Sequence, residues 1–374
     1  MPYLLLAAVV VVCCVSPVRA ETPHEQFKRL HEAGRYEEAE ALAKRTMEDS
    51  ILNNGPDHLD TATALDDLAG LYADRARYDE AETLFKRALN IRHAVLGPDH
   101  LDTAAVLNNL AGLYTEQGRF AEAQPLFKQA LEAAEKGGER RFTATAADNL
   151  ATLYRYEGNY EKAEPLYRRA LAIREKLDGP DHIDTAGSLS GLAVLLHAKG
   201  NYTEATPLFK RVLAIRENAL GADHPDTATS LDNLAASFYA QGKLDDAEPL
   251  YERALAIREK SLGPNDPHTA MSLDHLAALL RSKGKYRNAE SASTRALSIR
   301  EKSLGPDHPD TALSLNSLAL IFHSKGKHDE AEPLYERALA IFLKALGPDH
   351  PNTRATRRNL DLLRRERAKK SGQR

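Results

Sequence analysis

The chain has 374 residues and nearly balances 50 Lys and Arg against 54 Asp and Glu, for a formal charge of −4. So mild an acidity offers no general attraction to phosphate backbones, and nucleic acid is not an expected partner. Cys13 and Cys14 are its 2 cysteines and sit side by side in an apolar segment, which leaves no thiols elsewhere for a disulfide framework or a thiolate metal site.

The N-terminal segment differs from all that follows. Leu4 to Val15 is an unbroken apolar run, followed by Ser16-Pro17 and by Val18-Arg19-Ala20 ahead of the polar Glu21. A membrane-spanning helix needs roughly 20 apolar residues, and this run is shorter. It reads as a secretory signal peptide over residues 1–20, cleaved after Ala20, although Met1-Pro2-Tyr3 supplies no Lys or Arg. Cleavage removes Arg19, taking the formal charge from −4 to −5 (−4 − 1), and leaves no cysteine and no integral membrane span. The expected location is therefore periplasmic or extracellular; retention of residues 1–20 would instead leave the protein in the cytoplasm.

From Tyr36 onward one phrase returns. It runs Tyr36-Glu-Glu-Ala39-Glu40, then Tyr78 to Glu82, Phe120 to Ala123, Tyr160 to Glu164, Tyr202 to Ala205, Leu244 to Glu248, Tyr286 to Glu290 and His328 to Glu332. The spacing is 42 residues (78 − 36) at each step except the one from Phe120 to Tyr160, which is 40 (160 − 120). A period of this length marks a solenoid, so residues 21–351 form one array of eight repeats rather than several globular domains.

Within the segment Asp60 to Pro98, Leu65, Leu68, Ala69 and Tyr72 make an apolar helical stripe, and Asp60 and Thr61 stand ready to cap the first helix. Arg75-Ala76-Arg77 connects it to a second stripe of Ala81, Leu84, Phe85, Ala88, Leu89 and Ile91, which stops at Leu96-Gly97-Pro98. The unit is an all-α antiparallel hairpin that buries its apolar faces only by stacking on neighbours. Pro125, Pro165, Pro207, Pro249 and Pro333 fall early in the second helices, where the expectation is a tolerated place near the first turn.

The small residues Ala69, Ala81 and Ala88, with Leu68, Tyr72 and Phe85 between them, resemble the tetratricopeptide repeat signature. Leu107 to Ala111 (Leu-Asn-Asn-Leu-Ala), Glu164 to Tyr167 (Glu-Pro-Leu-Tyr) and Leu304 to Pro309 (Leu-Gly-Pro-Asp-His-Pro) resemble the kinesin-light-chain subtype. The resemblance implies a right-handed superhelical α-solenoid whose first helices line a concave face. It further implies that the residue after the first core Leu points inward, giving the column Asp66, Asn108, Asp148, Ser190, Asp232, Asp274 and Asn316. Asn109, Asn149 and Asn233 occupy the next position and complete what resembles an asparagine ladder for an extended peptide. An amide both donates and accepts, so such a ladder holds a peptide backbone without demanding a sequence, and the aspartates add a preference for a neutral or basic segment. The alternative reading of the same residues is a solvated helix face.

The ends and one link depart from the repeat. Pro23 to Ala33 makes a short first helix, and residues 352–374 make a basic C-terminal capping helix and tail, either solvated or facing an anionic partner. Lys136-Gly137-Gly138-Glu139 replaces the usual link at the 40-residue step, as a hinge or as neutral loop variation.

No motif for catalysis emerges, and no cofactor or metal is expected. The recurring Asp-His pairs, from Asp57-His58 to Asp349-His350, sit on links about 20 Å apart, too far to share one ion with ligands about 2 Å away. The adjacent carboxylates Asp66-Asp67 and Asp245-Asp246 read as surface charge. The expected function is thus a non-catalytic, exported scaffold that binds a partner protein or peptide in its groove. The alternatives are a structural spacer or self-assembling solenoid, and a kinesin-light-chain-like cytoplasmic cargo adaptor.

Overall fold

The computed structural model describes residues 21–371, which fold into 17 α-helices with no strand among them. The expected signal peptide with Cys13 and Cys14 lies outside the described residues, as do the last three residues of the tail. Eight hairpins follow one another: α1 (Pro23–Glu32) with α2 (Tyr36–Asn54), α3 (Leu59–Asp74) with α4 (Tyr78–Leu96), α5 (Leu101–Glu116) with α6 (Phe120–Lys136), and α7 (Arg140–Tyr156) with α8 (Tyr160–Asp178). The second half pairs α9 (Ile183–Ala198) with α10 (Tyr202–Leu220), α11 (Pro225–Ala240) with α12 (Leu244–Ser261), α13 (Pro267–Ser282) with α14 (Tyr286–Ser303), and α15 (Pro309–Ser324) with α16 (His328–Leu346). A single helix, α17 (Pro351–Ser371), closes the array.

Each helix packs on the next in sequence, and first helices also pack on the first helices of neighbouring repeats, as α3 does on α1 and α5. Among the described residues second helices pack far less closely on one another, so the first helices form the inner, more crowded layer of the curve. The core between the layers is built from the signature residues. Ala69, Ala81 and Ala88 are fully buried and let backbones approach, while Leu65, Tyr72 and Phe85 fill the volume that remains.

The links explain the Asp-His pairs. The Nδ1 atom of His58, His100, His182, His224, His308 and His350 accepts the backbone N–H two residues on, at 3.1–3.2 Å, and so caps the following helix. The cap is this histidine rather than Asp60 or Thr61, because the helix begins one residue before Asp60. Thr61 instead donates its hydroxyl to the Gly55 carbonyl at 2.9 Å, a clasp repeated down to Thr353 and Gly347 at 2.8 Å. The prolines lie deeper than the first turn. Pro165 is the sixth residue of α8, counted from Tyr160, and removes one interior backbone donor without ending the helix.

The hairpin tips carry a left-handed residue. Gly118 has φ 72°, and the matching place in the second hairpin is held by Ala76 at φ 55°, the one non-glycine residue with positive φ among those described. At the 40-residue step Glu139 caps α7 through the Arg141 N–H at 3.3 Å, and a Cβ placed on Gly137 would meet the Leu101 side chain at 3.3 Å.

The array curls until its turns meet. Tyr78, at the tip of the second hairpin, packs on the apolar cluster of Ala312, Leu315 and Phe342 in the eighth. His350 lies 3.2 Å from the place a Gly118 Cβ would occupy, so the third hairpin touches the link before α17. That last helix caps the core by burying Leu360 and Leu363 against Ala319 and Tyr335. Its Arg364 and Arg367 pair with Glu332 of α16 at 2.7 and 2.6 Å, whereas Arg354, Arg357, Arg358 and Arg365 stay exposed.

Candidate functional site on the concave face

One register position per first helix carries the expected column, from Asp66 on α3 to Asn316 on α15. The structure shows what the aspartates face. Arg92 of α4, Arg174 of α8 and Arg300 of α14 approach Asp66, Asp148 and Asp274 at 3.7, 3.4 and 2.8 Å, and Arg258 of α12 pairs with Asp232 in the same way. The pairing is within one hairpin, with the arginine 26 residues after its aspartate. Where the column holds Asn108 or Asn316, the corresponding second-helix residue is Ala134 or Phe342, so both charges are absent there, whereas Ser190 faces a retained Arg216.

These pairs are internal. The Arg258 and Asp232 side chains are 1% and 4% exposed, and an isolated charge at such depth would be costly. Burial pushes the Asp148 carboxyl up to about 6 against the opposing hydrogen bond from Ser188 and the charge of Arg174. Burial likewise raises Asp66 and Asp274. The reading of Asp66-Asp67 as surface charge is therefore corrected: Asp66 answers Arg92, and Asp67 bonds to His24 Nδ1 of α1 at 2.7 Å. Asp245 is exposed and reaches Lys283 at 2.5 Å.

The amides also pair across the column. Asn109 donates to Asp66 at 3.2 Å and Asn149 donates to Asn108 at 2.9 Å, while Asn359 of the capping helix donates to Asn316 at 3.3 Å. Each bond joins neighbouring first helices, which aligns the column and leaves the remaining amide donors and acceptors toward the groove. Asn233 is the exception, with no side-chain hydrogen bond among the described residues.

Two clefts open along this face. One of about 710 Å³ is lined by Asp66, Asn108, Asn109 and Asn149 together with Tyr156 and Phe127. The other, about 960 Å³, holds Asp274 and Asn316 and is walled on its far side by His31 and Asp74 of the first two hairpins. Asp148, Asp232 and Asn233 sit between the two clefts on α7 and α11 and line neither.

A second network explains the recurring Ala-Glu phrase. Glu40, Glu82, Glu164, Glu248 and Glu332 each receive a cation from the following hairpin tip or cap: Arg77 at 3.0 Å, Arg119 at 2.5 Å, Lys199 at 2.6 Å, Lys285 at 2.8 Å and Arg367 at 2.6 Å. This is a staple between repeats rather than a ligand site. The carboxylate and imidazole groups of Asp178, His182 and Asp184 converge as a metal site would require, yet Arg141 already reaches Asp178 at 3.2 Å and Asp184 at 3.1 Å.

Sequence reasoning missed the arginine column. Its signal is the dipeptide Ile-Arg at Ile91, Ile173, Ile215, Ile257 and Ile299, a charge repeated beside a core residue and matched by an aspartate in four of five repeats.

The tetratricopeptide repeat pattern matches this chain at residues 30–92, 67–136, 142–217, 184–260, 232–302, 268–344 and 314–370. The chain belongs to the tetratricopeptide-repeat family. Among solved structures, this tetratricopeptide-repeat protein is similar to a Podosopora anserina kinesin-light-chain protein of nearly identical TPR-like repeats, 29% identical over 55% of this chain and 98% of that one, with a TM-score of 0.45. It is similar to BtubC (BKLC) from P. vanneervenii, 27% identical over 61% of this chain and 92% of that one, with a TM-score of 0.51. The apo quorum sensor NprR from B. thuringiensis and a Rap protein complexed with Competence and Sporulation Factor, each 16% identical, share the fold, with TM-scores of 0.60 and 0.59 over 86% and 93% of this chain and 86% and 98% of theirs. None of the curated proteins matches it. The repeats build an all-α solenoid suited to protein interaction, and no described helix is long and apolar enough to cross a membrane.

Proposed function

We propose that this protein is a non-catalytic scaffold that holds an extended segment of a partner protein along its concave face, and that it is exported by the segment over residues 1–20. The observation that carries the reading is the polar column itself. Polar side chains recur in constant register along the first helices, which matches the regular advance of an extended chain, and Asn108, Asn109, Asn149 and Asn316, which line the two clefts, supply amide donors and acceptors for its backbone. A solved relative of the same fold, the Rap protein, is complexed with Competence and Sporulation Factor, and this supports a ligand-holding concave face here.

The pairing of every column aspartate with an arginine changes the expected ligand. With Asp66, Asp148, Asp232 and Asp274 answered internally, the groove no longer favours a basic segment, and backbone capture dominates. The test is Asn109→Ala combined with Asn233→Ala. Partner cross-linking in the native host is lost while the helical circular dichroism stays unchanged; undiminished cross-linking would overturn the groove as the binding face. For export, the intact mass of the native protein begins at Glu21 in an extracytoplasmic fraction, and a cytosolic protein retaining Met1 would contradict it.

A further inference from the structure

We propose that Arg216 and Asn233, which hold the two donor places around Ser190, form a subsite at the middle of the groove that binds a carboxylate of the held segment; this rests on the groove reading above. The rest of the array supplies the template. Around Asp66, the arginine 26 residues on and the asparagine 43 residues on both address one carboxylate, Arg92 at 3.7 Å and Asn109 at 3.2 Å. Around Asp232 the same two places are held by Arg258 and by His275, the latter at 3.6 Å.

In the fifth hairpin the arginine and the asparagine are kept and the acceptor is gone. Ser190 stands where the aspartate would be, with Arg216 and Asn233 in the two donor places. Ser190 makes no hydrogen bond to either, and Asn233 bonds to no side chain among the described residues. Arg216 Nη1 is held by the Asp226 carbonyl at 3.1 Å and by Ser230 Oγ at 3.0 Å. Its Nη2 and Nε have no protein partner, and no carboxylate lies within ion-pair distance of it among the described residues.

The covering side chain is missing as well. Thr63, Thr145 and Thr229 accept Nη2 of Arg92, Arg174 and Arg258 at 3.3, 3.1 and 3.0 Å, but the matching residue for Arg216 is the exposed Gly187. The guanidinium is thus fixed through one nitrogen and open at the others, and a carboxylate that accepts from it and from the Asn233 amide restores the geometry found around Asp66. Burial pushes the Arg216 proton affinity down, which the exposed Asp226 at the start of α11 offsets only in part. The column acids on either side are engaged elsewhere, Asp148 by Ser188 at 2.7 Å and by Arg174, and Asp232 by Arg258. A carboxylate offers two acceptor oxygens to a planar guanidinium, an amide only one, so the subsite selects Asp or Glu over Asn or Gln.

The experiment uses the full chain and two positional-scanning dodecapeptide libraries, one blocked at both ends and one with a free C-terminal acid. The wild type enriches Glu or Asp about tenfold over Gln or Asn at one position of the blocked library. Enrichment confined to the free-acid library assigns the same subsite to a C-terminal carboxylate. Ser190→Asp rebuilds the internal rung, so the fold is kept and the acidic preference disappears while preferences at other positions persist; Arg216→Gln does the same. Acidic enrichment that is absent, or that survives Ser190→Asp, overturns the subsite while the groove stands. Failure to retain either library overturns the groove reading and the subsite with it.

Discussion

Asp274 of α13 and Arg300 of α14 lie 2.8 Å apart with side chains 10% and 4% exposed, and the same guanidinium also reaches Ser314 of α15 at 2.8 Å. One ion pair therefore ties the two helices of a hairpin together and fixes the next hairpin upon them. Asp274→Asn alone leaves a buried cation without its counter-charge and destabilises the array by about 3–5 kcal/mol in chemical denaturation. Adding Arg300→Phe copies the Asn316 and Phe342 rung already present in the eighth hairpin and recovers most of that loss. A double variant no better than the single one would show that the rungs are not interchangeable units.

Ala76 occupies a left-handed tip position, at φ 55°, where Gly118 and most other tips have glycine. Its Cβ is strained there, so Ala76→Gly raises stability by about 0.5–1 kcal/mol after the greater entropy of the unfolded glycine chain is subtracted. Thermal melts of the two proteins check it.

Glu82 sets the acid limit of the second and third hairpins. Burial would raise its carboxyl, but hydrogen bonds from Arg119, Lys86 and Tyr114 hold it at about 2. An acid whose folded value is depressed contributes stability above its unfolded value, near 4.3, and that contribution fades as pH falls toward about 2. Glu82→Gln removes about 1–2 kcal/mol at pH 7, allowing for partial solvent screening, and leaves stability at pH 2 nearly unchanged. An equal loss at both pH values would point to packing rather than charge.

Glu116 behaves in the opposite sense. Its side chain is open to the groove, yet the surrounding protein mass, with Asp74 on the neighbouring α3 and Asp310 of α15 across the meeting turns, pushes it up to about 7. A raised acid favours the folded state below its unfolded value, and the advantage is lost as pH rises through about 7. Small-angle scattering should show the wild-type coil loosening between pH 5 and pH 8, while Glu116→Gln keeps one radius of gyration throughout. Identical pH profiles for the two proteins would remove Glu116 from the closure.

The solenoid was legible because each hairpin restates the same local rules: apolar stripes at helical spacing, small residues at close approaches, and a turn residue at each tip. The candidate column was legible by register, since Asp66 and Asn108 through Asn316 fall on one face. What they touch was not. Arg92 pairs with Asp66 from a different helix, and Tyr78 meets the Ala312 and Phe342 cluster across a whole turn of the coil, so both depend on how helices pack in three dimensions. The histidine caps were missed because Asp60 and Thr61 are the stronger capping types, although the helix starts ahead of them. The prolines lie a turn deeper than expected because the second helices begin at the residue that opens the repeated phrase, such as Tyr160 of α8 or Leu244 of α12.

The most direct test of concave-face binding is site-specific photo-cross-linking in the native host, with the reactive residue placed at Val194 on the first-helix layer or at Lys210 on the exposed side of α10. A partner held in the groove is captured from Val194 over one short stretch of its sequence, mapped by mass spectrometry, and is not captured from Lys210. Capture of the partner from Lys210 with none from Val194 would contradict concave-face binding.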